Sequence, residues 1–531
     1  MRFPKKITAG TIAVTLALLS ACKVGPNFKS PQESVPEQYS GAASTPATPP
    51  ASPAFPASPT TPATPATPAT PATPRASADM PPDSSFWWQQ FHDPQLDALE
   101  DKAAAGNLDL KAAYLRIVES RVQLQSARAQ GLPSLDASAS YNREELGLAG
   151  IVKSQHIDTS SPAAGGLISQ LEKPVNIYQI GFDASWELDL FGKVRRSVEA
   201  ADARALSAVE SRNDVLISLQ AEVAQTYFQL RAAQVLRQII VDQIAAQRDV
   251  VDLTRNRQQH GLAGEADVAS AEAQLANLAS LQPPYEQSVA ASRHALAVLT
   301  GQNPEAMDTE FNDVGALPDL PAVIPVGLPS TLARRRPDIR ASEAALHAAT
   351  AQIGVAVSEF FPDVTLNGTL GLRNLSPGYL FQWDSKFYTF GPTISIPLFH
   401  GGALDANVKL SRAQAAEAAL SYRKSVLTAL QEVEDGLTSV HQDAVRSAAL
   451  QDSVNSNQRA LDVDVNAYNH GLITYITVLT VQLQTVQARQ QLAQAQLAQN
   501  TDLVKLYKAL GGGWEGAAQS DGAPLEKSAL R

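Results

Sequence analysis

The sequence predicts a mainly α protein with a small β part. The expected form is a long α-helical coiled-coil barrel continuous with a transmembrane β-barrel, built from an internal twofold repeat. Three observations carry this expectation. From Tyr178 to Asp189, apolar Tyr178, Ile180, Phe182, Trp186 and Leu188 alternate with Gln179, Asp183, Ser185 and Glu187. That is the period of a strand with one apolar and one polar face. From Lys193 to His260 no Pro or Gly interrupts, and Leu216, Leu219, Val223 and Leu230 share one helical face; at 1.5 Å per residue such a helix reaches roughly 100 Å. The combination then recurs. Tyr388, Phe390, Pro392, Ile394, Ile396 and Leu398 alternate with Thr389, Gly391, Thr393 and Ser395, a turn Phe399-His400-Gly401-Gly402 follows, and a helical pattern through Val426, Leu430, Val433, Leu437 and Val440 runs to His470. The copies end alike, in His260-Gly261-Leu262 and His470-Gly471-Leu472, about 210 residues apart, which marks a duplicated unit.

The chain begins with a processing signal. Arg2, Lys5 and Lys6 precede an apolar run from Ile7 to Leu19, too short to span as a helix, and Leu19-Ser20-Ala21-Cys22 resembles a bacterial lipoprotein cleavage site. Cys22 is the candidate lipidation site, and Lys23 after it fits sorting to the outer membrane. It is the sole Cys, so no intrachain disulfide forms. Residues 42–85 are rich in Pro, Ala and Thr and read as a semi-rigid tether. The expected organisation is a signal peptide 1–21, a lipidated segment 22–41, the tether 42–85, a first repeat 86–300, a connecting segment 301–337, a second repeat 338–510 and a flexible tail 511–531.

Each repeat reads as a helix, a β-hairpin, a long helix and a return helix. In the first, Asn107 to Gln130 is helical and stops at Gly131-Leu132-Pro133, the hairpin covers about 134–189, and Val268, Ala271, Leu275, Leu278, Tyr285 and Val289 mark the return helix. Pro283-Pro284 must kink or break it. In the second, Asp338 to Phe360 is helical, the hairpin covers about 363–398, and Leu479, Leu483, Val486, Ala493 and Leu497 mark the return. The sustained 3-4 spacing indicates coiled-coil packing. Pro392 and Pro397 argue for an edge or a bulge in the last strand.

Four strands cannot close a barrel, and an open edge in lipid is forbidden. Three chains would supply twelve strands and a lumen, with the polar side (Asp183, Ser185, Glu187; Thr365, Asn367, Thr369) facing water. The net charge of -11 disfavours nucleic acid. The eight His form no metal-ligand spacing, and Gly511-Gly512-Gly513 lacks phosphate-loop spacing and reads as a cap or tail. Arg334-Arg335-Arg336 reads as a solvated or capping cluster. No catalysis, metal site or cofactor is expected.

The chain resembles the TolC-like outer membrane efflux factors, most closely their lipoprotein, or NodT-type, branch. The carriers are Cys22-Lys23-Val24-Gly25-Pro26-Asn27-Phe28, Trp186-Glu187-Leu188-Asp189-Leu190-Phe191-Gly192, Gly261-Leu262-Ala263 with Asp267-Val268-Ala269, Gly327-Leu328-Pro329-Ser330 and Arg335-Arg336-Pro337-Asp338-Ile339. The resemblance implies a homotrimeric channel-tunnel across the outer membrane and periplasm of a Gram-negative bacterium. Its implied partners are outer membrane lipid, a periplasmic adaptor (membrane fusion) protein and an inner-membrane transporter of the resistance-nodulation-division (RND) type. It implies passive conduction of drugs or toxic organics; the alternative is an exit duct for protein or polysaccharide secretion. Copper or silver is disfavoured, because the chain has three Met, one of them Met1. The turns at Gly261, Leu262, Gly471 and Leu472 are the implied adaptor-docking tips. The implied periplasmic aperture falls on Asp267 and Ser270 in the first half and Thr477 and Thr480 in the second. Only Asp267 could supply an acidic ring there, and a plain role at a helix N-terminus is an equal reading of it.

Overall fold

Alternation makes the strands and uninterrupted heptad-like spacing makes the helices, and the two parts divide cleanly along the chain. The computed structural model describes residues 23–31, 36, 39, 75–77, 86–145, 173–318, 320–321, 323–327 and 329–515. Cys22 and the expected signal peptide lie outside the described residues, as does most of the expected tether. In chain order the elements are β1 (Arg75–Ser77), a 3-10 turn (Trp87–Phe91), α1 (Pro94–Gly106), α2 (Leu108–Ala129), β2 (Ser134–Glu144), β3 (Val175–Leu188), α3 (Lys193–Gln259), α4 (Glu265–Leu299), β4 (Val323–Pro325), α5 (Pro329–Arg335), α6 (Pro337–Ser358), β5 (Asp363–Asn374), β6 (Lys386–Ser395), α7 (Ala403–Asn469) and α8 (Tyr475–Ala509). The repeat is metrically close: α2 and α6 each have 22 residues, α3 and α7 each 67, α4 and α8 each 35.

Contacts group the described residues across the repeat rather than along it. One unit draws on residues within 1–30, 120–205 and 345–419, the other on residues within 31–119, 206–344 and 420–531. The first unit holds one antiparallel sheet in the order β2-β3-β5-β6. Its register puts Asp136, Asp183, Thr369 and Thr389 in one row and Ala137, Phe182, Leu370 and Tyr388 on the opposite face. The first hairpin extends past Tyr141 and Tyr178, through Asn142↔Ile177 to Glu144↔Val175. Polar residues hide this extension from periodicity, because the strand tips leave the apolar layer. Pro392 sits within β6, which is an edge of the sheet, where a missing N–H disrupts least. Pro397 follows the strand's end.

Asp189 turns the first hairpin into its long helix: its carboxylate accepts the N–H groups of Val194 (3.2 Å) and Arg195 (2.9 Å) at the start of α3. Two of the orphan donors of a helix start are thereby satisfied, and the acidic charge suits the positive end of the helix dipole.

The second unit is helical. Its core runs along α3 through Leu216, Val223, Tyr227, Phe228, Leu230 and Ile240, all fully or nearly fully buried. Arg231 pins the connecting segment: it donates to the Asp313 carbonyl (3.0 Å) and the Tyr227 hydroxyl (3.0 Å), and its guanidinium lies 5.8 Å from the Phe311 ring centre. Pro283 and Pro284 neither end nor divide α4. Both are exposed, so the carbonyls they leave without an N–H partner can be hydrated.

Three expectations are corrected. Arg75–Ser77, inside the stretch read as a semi-rigid tether, pairs in parallel with Val323–Pro325; backbone pairing needs no apolar side chains, so composition gave no sign of it. Residues 511–515 are not a free tail: Gly511 and Gly513 are buried, the Gly513 carbonyl accepts from Gln220 (3.0 Å), and Trp514 donates to the Arg335 carbonyl (3.1 Å). Arg336 is not solvated: it is buried and bonded to Asp338 (2.7 Å), Glu432 (2.6 Å) and the Ala509 carbonyl (2.9 Å). It closes the C-terminal end of α8, where a cation suits the helix dipole.

Candidate functional site

The sheet has a face for water and a face for lipid. On the polar face, Ser138 Oγ and Thr369 Oγ1 donate to the two carboxylate oxygens of Asp183 (2.8 and 2.9 Å), Ser185 Oγ donates to Asn367 (3.0 Å), Asn367 donates to Thr393 (3.1 Å), and Arg373 donates to Gln179 (2.7 Å). These ladders run across all four strands. On the other face Phe390 is 73% exposed, Tyr388 77% and Leu370 60%. An apolar surface of this size is not stable in water. Its setting is hydrocarbon, and the polar face then lines an aqueous lumen. Among the described residues no helix is long and apolar enough to cross a membrane. Both edges, β2 and β6, lack partners within the sheet.

The second unit carries the two tips. α3 ends in Gly261 with φ +70° and α7 in Gly471 with φ +76°, a conformation Gly adopts without penalty. Each end closes in the same way. Leu262 N–H bonds the Arg257 carbonyl (2.8 Å) and Gly261 N–H that of Gln258 (2.9 Å); Leu472 N–H bonds Ala467 (3.0 Å) and Gly471 N–H bonds Tyr468 (2.9 Å). This is the Schellman closure. Leu262 and Leu472 are each 77% exposed, apolar side chains held out at a turn that needs only its glycine.

The four aperture candidates sit just beyond, in the first turns of α4 and α8. The Asp267 carboxylate accepts the Gly264 N–H (3.0 Å) and so caps α4. Its counterpart Thr477 makes a 3.4 Å hydroxyl contact with Thr474. Thr480 donates back to the Ile476 carbonyl (2.9 Å), and Ser270 is exposed. Among the described residues no group of three or more His, Cys, Asp or Glu is placed to hold a metal ion.

Sequence reasoning missed the link between the tips. Arg257 lies 4.4 Å from the Tyr468 ring centre and donates to the Tyr468 and Asn469 carbonyls (3.3 Å each), the last of α7. Beneath it, Val251, Ala271, Tyr468, Tyr475 and Val478 form a buried cluster, and Gln247 donates to the Tyr475 hydroxyl (3.0 Å). Tyr468 and Tyr475 flank the second turn, and two aromatics so close to a tip were the available signal.

It also missed a docking site for the segment that follows Cys22. In the first unit the Arg196 side chain is 0% exposed. It donates to the carbonyls of Val24 (2.9 Å) and Gly25 (3.0 Å), to Asn27 Oδ1 (2.9 Å) and to Glu199 (2.9 Å). Glu199 also pairs with Lys23 and His347, and Phe28 stacks on the His347 ring at 4.5 Å. Gly354 makes room: a Cβ there would meet the Arg196 side chain. Burial raises the Glu199 pKa, but its hydrogen bonds to Lys23, His347 and Arg196 outweigh that and lower it to about 2. The motif Lys23-Val24-Gly25-Pro26-Asn27-Phe28 is therefore an integral part of the fold around the sheet.

A family model described as "Outer membrane efflux protein" matches residues 99–302 and 328–512, more than half of the chain. The chain is similar to the Toluene efflux pump outer membrane protein TtgC of Pseudomonas putida, at 31% identity over 505 residues, 95% of either chain. It is similar to Nodulation protein T of Rhizobium leguminosarum bv. viciae, at 29% identity over 522 residues, 98% of this chain and 96% of that one. Among solved structures it is similar to the outer-membrane channel OprN, with a TM-score of 0.77 and 28% identity, covering 93% of this chain and all of that one.

Proposed function

The chain belongs to the outer membrane efflux protein family and resides in the outer membrane, and from that premise we propose that it is the passive exit duct of a tripartite pump for toxic organic molecules or drugs. The observation that carries this reading is the four-stranded sheet with one polar face, one apolar face and two open edges. Three copies close twelve strands into a barrel wide enough for a lumen, and every edge is then paired. Cys22, which lies outside the described residues, carries the acyl anchor; it precedes the Lys23–Phe28 segment that Arg196 holds. Gly261-Leu262 and Gly471-Leu472 form the tips on which a periplasmic adaptor docks, and an RND-type transporter of the inner membrane feeds the duct. Asp267 contributes one charge per chain to the periplasmic aperture, beside Ser270, Thr477 and Thr480. A relative named for toluene efflux supports an organic substrate class.

The test is a deletion strain carrying the wild type or Leu262→Asp/Leu472→Asp. The expected result is loss of tolerance to organic solvents and loss of adaptor pull-down in the variant, with trimer yield and bilayer conductance unchanged. A wild type that forms no trimer, or a deletion that impairs protein or polysaccharide secretion and leaves tolerance intact, overturns the reading.

A further inference from the structure

The lipid-facing side of the sheet carries two charges, and their placement has a use. That face comprises Leu135 to Arg143 at odd positions of β2, and the even positions of β3, β5 and β6. Along these four strands it is uncharged except at Arg143, next to last in β2, and Lys386, the first residue of β6. No carboxylate lies on it; at the loop end its last positions on the central strands are Asn176 and Asn374. Both cations are exposed and neither has an ion-pair partner among the described residues. Each stands two residues outside a tyrosine on the same face: Tyr141 inside Arg143, Tyr388 inside Lys386. Tyr141 pairs with Tyr178 at 4.9 Å between ring centres, and the Lys386 ammonium lies 4.6 Å from the Trp383 ring centre. Both cations sit at the hairpin-loop end of their strands, away from the helices that enter and leave the sheet. In the outer membrane that end faces the cell exterior.

Tyrosine and tryptophan mark the boundary between hydrocarbon and headgroups, and a cation one step further out stands at the level of lipid phosphates. The two cations also lie on β2 and β6, the two open edges of the sheet. Closing the barrel sets β6 of one copy beside β2 of the next, so Lys386 and the neighbouring copy's Arg143 come to adjacent strands on the same face. We propose that this inter-subunit pair, with the tyrosine beside each cation, is a binding site for the phosphate-bearing headgroup of an outer-leaflet lipid, one site at each subunit junction. The site is incomplete in a single chain. The inference rests on the closed-barrel reading above.

The test is native mass spectrometry of the purified trimer in nanodiscs containing either bisphosphorylated lipid A or its dephosphorylated form. The wild type is expected to retain the phosphorylated lipid about thirtyfold better, with a loss of roughly fivefold for Arg143→Ser or Lys386→Ser alone and of the whole preference for the double variant, as about 1 kcal/mol per basic residue at an anionic surface implies. Arg143→Lys and Lys386→Arg should keep the preference, which separates charge from folding. Inorganic phosphate should not displace the lipid; full displacement would assign the pair to free phosphate and overturn the proposal. Equal preference in the double variant, or none in the wild type, also overturns it. Trimer mass and single-channel conductance on the same preparations report separately on the closed-barrel reading.

Discussion

The two halves of the chain share three helices of identical length and tips of the same closure, yet they use their long helices differently. α3 buries Arg196, Arg212, Gln220 and Arg231, and through Arg196, Gln220 and Arg231 it holds the segment after Cys22, the C-terminal Gly run and the connecting segment. At the matching positions α7 has Ala406, Tyr422, Leu430 and His441. α7 instead leaves Leu410, Leu420, Leu427, Val445 and Val463 exposed, each by more than half. A duplicated scaffold thus separates two tasks. The first helix collects the chain's own accessory segments, and the second leaves apolar surface exposed. The largest effects of substitution should therefore fall on α3, and the exposed match Ala406 in α7 should be tolerant.

Arg196→Met is expected to destabilise by about 3–5 kcal/mol, because Glu199 and three carbonyl or amide acceptors lose a buried donor. The readout is the thermal midpoint in detergent, with faster proteolysis at Lys23; Ala406→Ser should change neither. The same contact has a pH signature. The Glu199 pKa is lowered to about 2 from 4.5, so its contribution is complete above pH 4.5 and is lost as pH falls toward 2. Protease resistance of the N-terminal segment should follow that course. A midpoint for Arg196→Met equal to that of the wild type would mean that the docked segment contributes nothing.

Helix lengths, strand faces and both tips were legible in the sequence because each rests on periodicity or on a glycine that alone fits its φ. The Arg196 site was not legible. Arg195 and Arg196 are adjacent in a first turn, and only the fold decides that Arg195 turns to Asp189 while Arg196 is buried. The β1–β4 pair and the buried Gly511–Gly513 segment were hidden for the same reason: backbone pairing and close approach leave little side-chain pattern.

Glu100→Gln probes a different burden of the first half. Glu100 is 2% exposed and both carboxylate oxygens lack a hydrogen-bond partner among the described residues. Burial foremost, then Asp101 and Asp97, raises its pKa well above 4.5. A raised carboxyl favours folding below pH 4.5 and costs progressively more as pH rises, so Glu100→Gln should stabilise at pH 8, by about 1–3 kcal/mol, and hardly at pH 4. Thermal melts at the two pH values decide it; equal shifts at both would mean that Glu100 is paired.

At the tips the comparison narrows to single residues. Arg257 has Ala467 as its match, so the clamp on Tyr468 has no counterpart in the other direction. Arg257→Ala should cost about 1–2 kcal/mol, from the lost cation–π contact and helix-end bonds, and should speed proteolysis near Gly471 before that near Gly261. Gly261→Ala and Gly471→Ala should be alike. Neither position has any atom within 4 Å of an added Cβ, so each cost is backbone strain alone, about 1 kcal/mol. Unequal melts for the two glycine variants would break the equivalence of the tips.

The smallest effect separates the two readings of Asp267. As the third residue of α4 it accepts the Gly264 N–H, whereas Thr477, at the same place in α8, leaves the Thr474 N–H without that carboxylate. If capping is its whole role, Asp267→Asn loses about 0.5 kcal/mol and Thr477→Asp gains a similar amount, with conductance unchanged in both. If Asp267 also lines the aperture, the trimer has one acidic ring, and Thr477→Asp adds a second. Cation selectivity and divalent-cation block should then fall in Asp267→Asn and rise in Thr477→Asp, while the stability changes stay as small as before. Single-channel recordings beside thermal melts distinguish the two, because a cap acts within one helix and a ring acts through the charge of three chains on ions in the lumen. Divalent block unchanged in both variants would place the constriction at other residues.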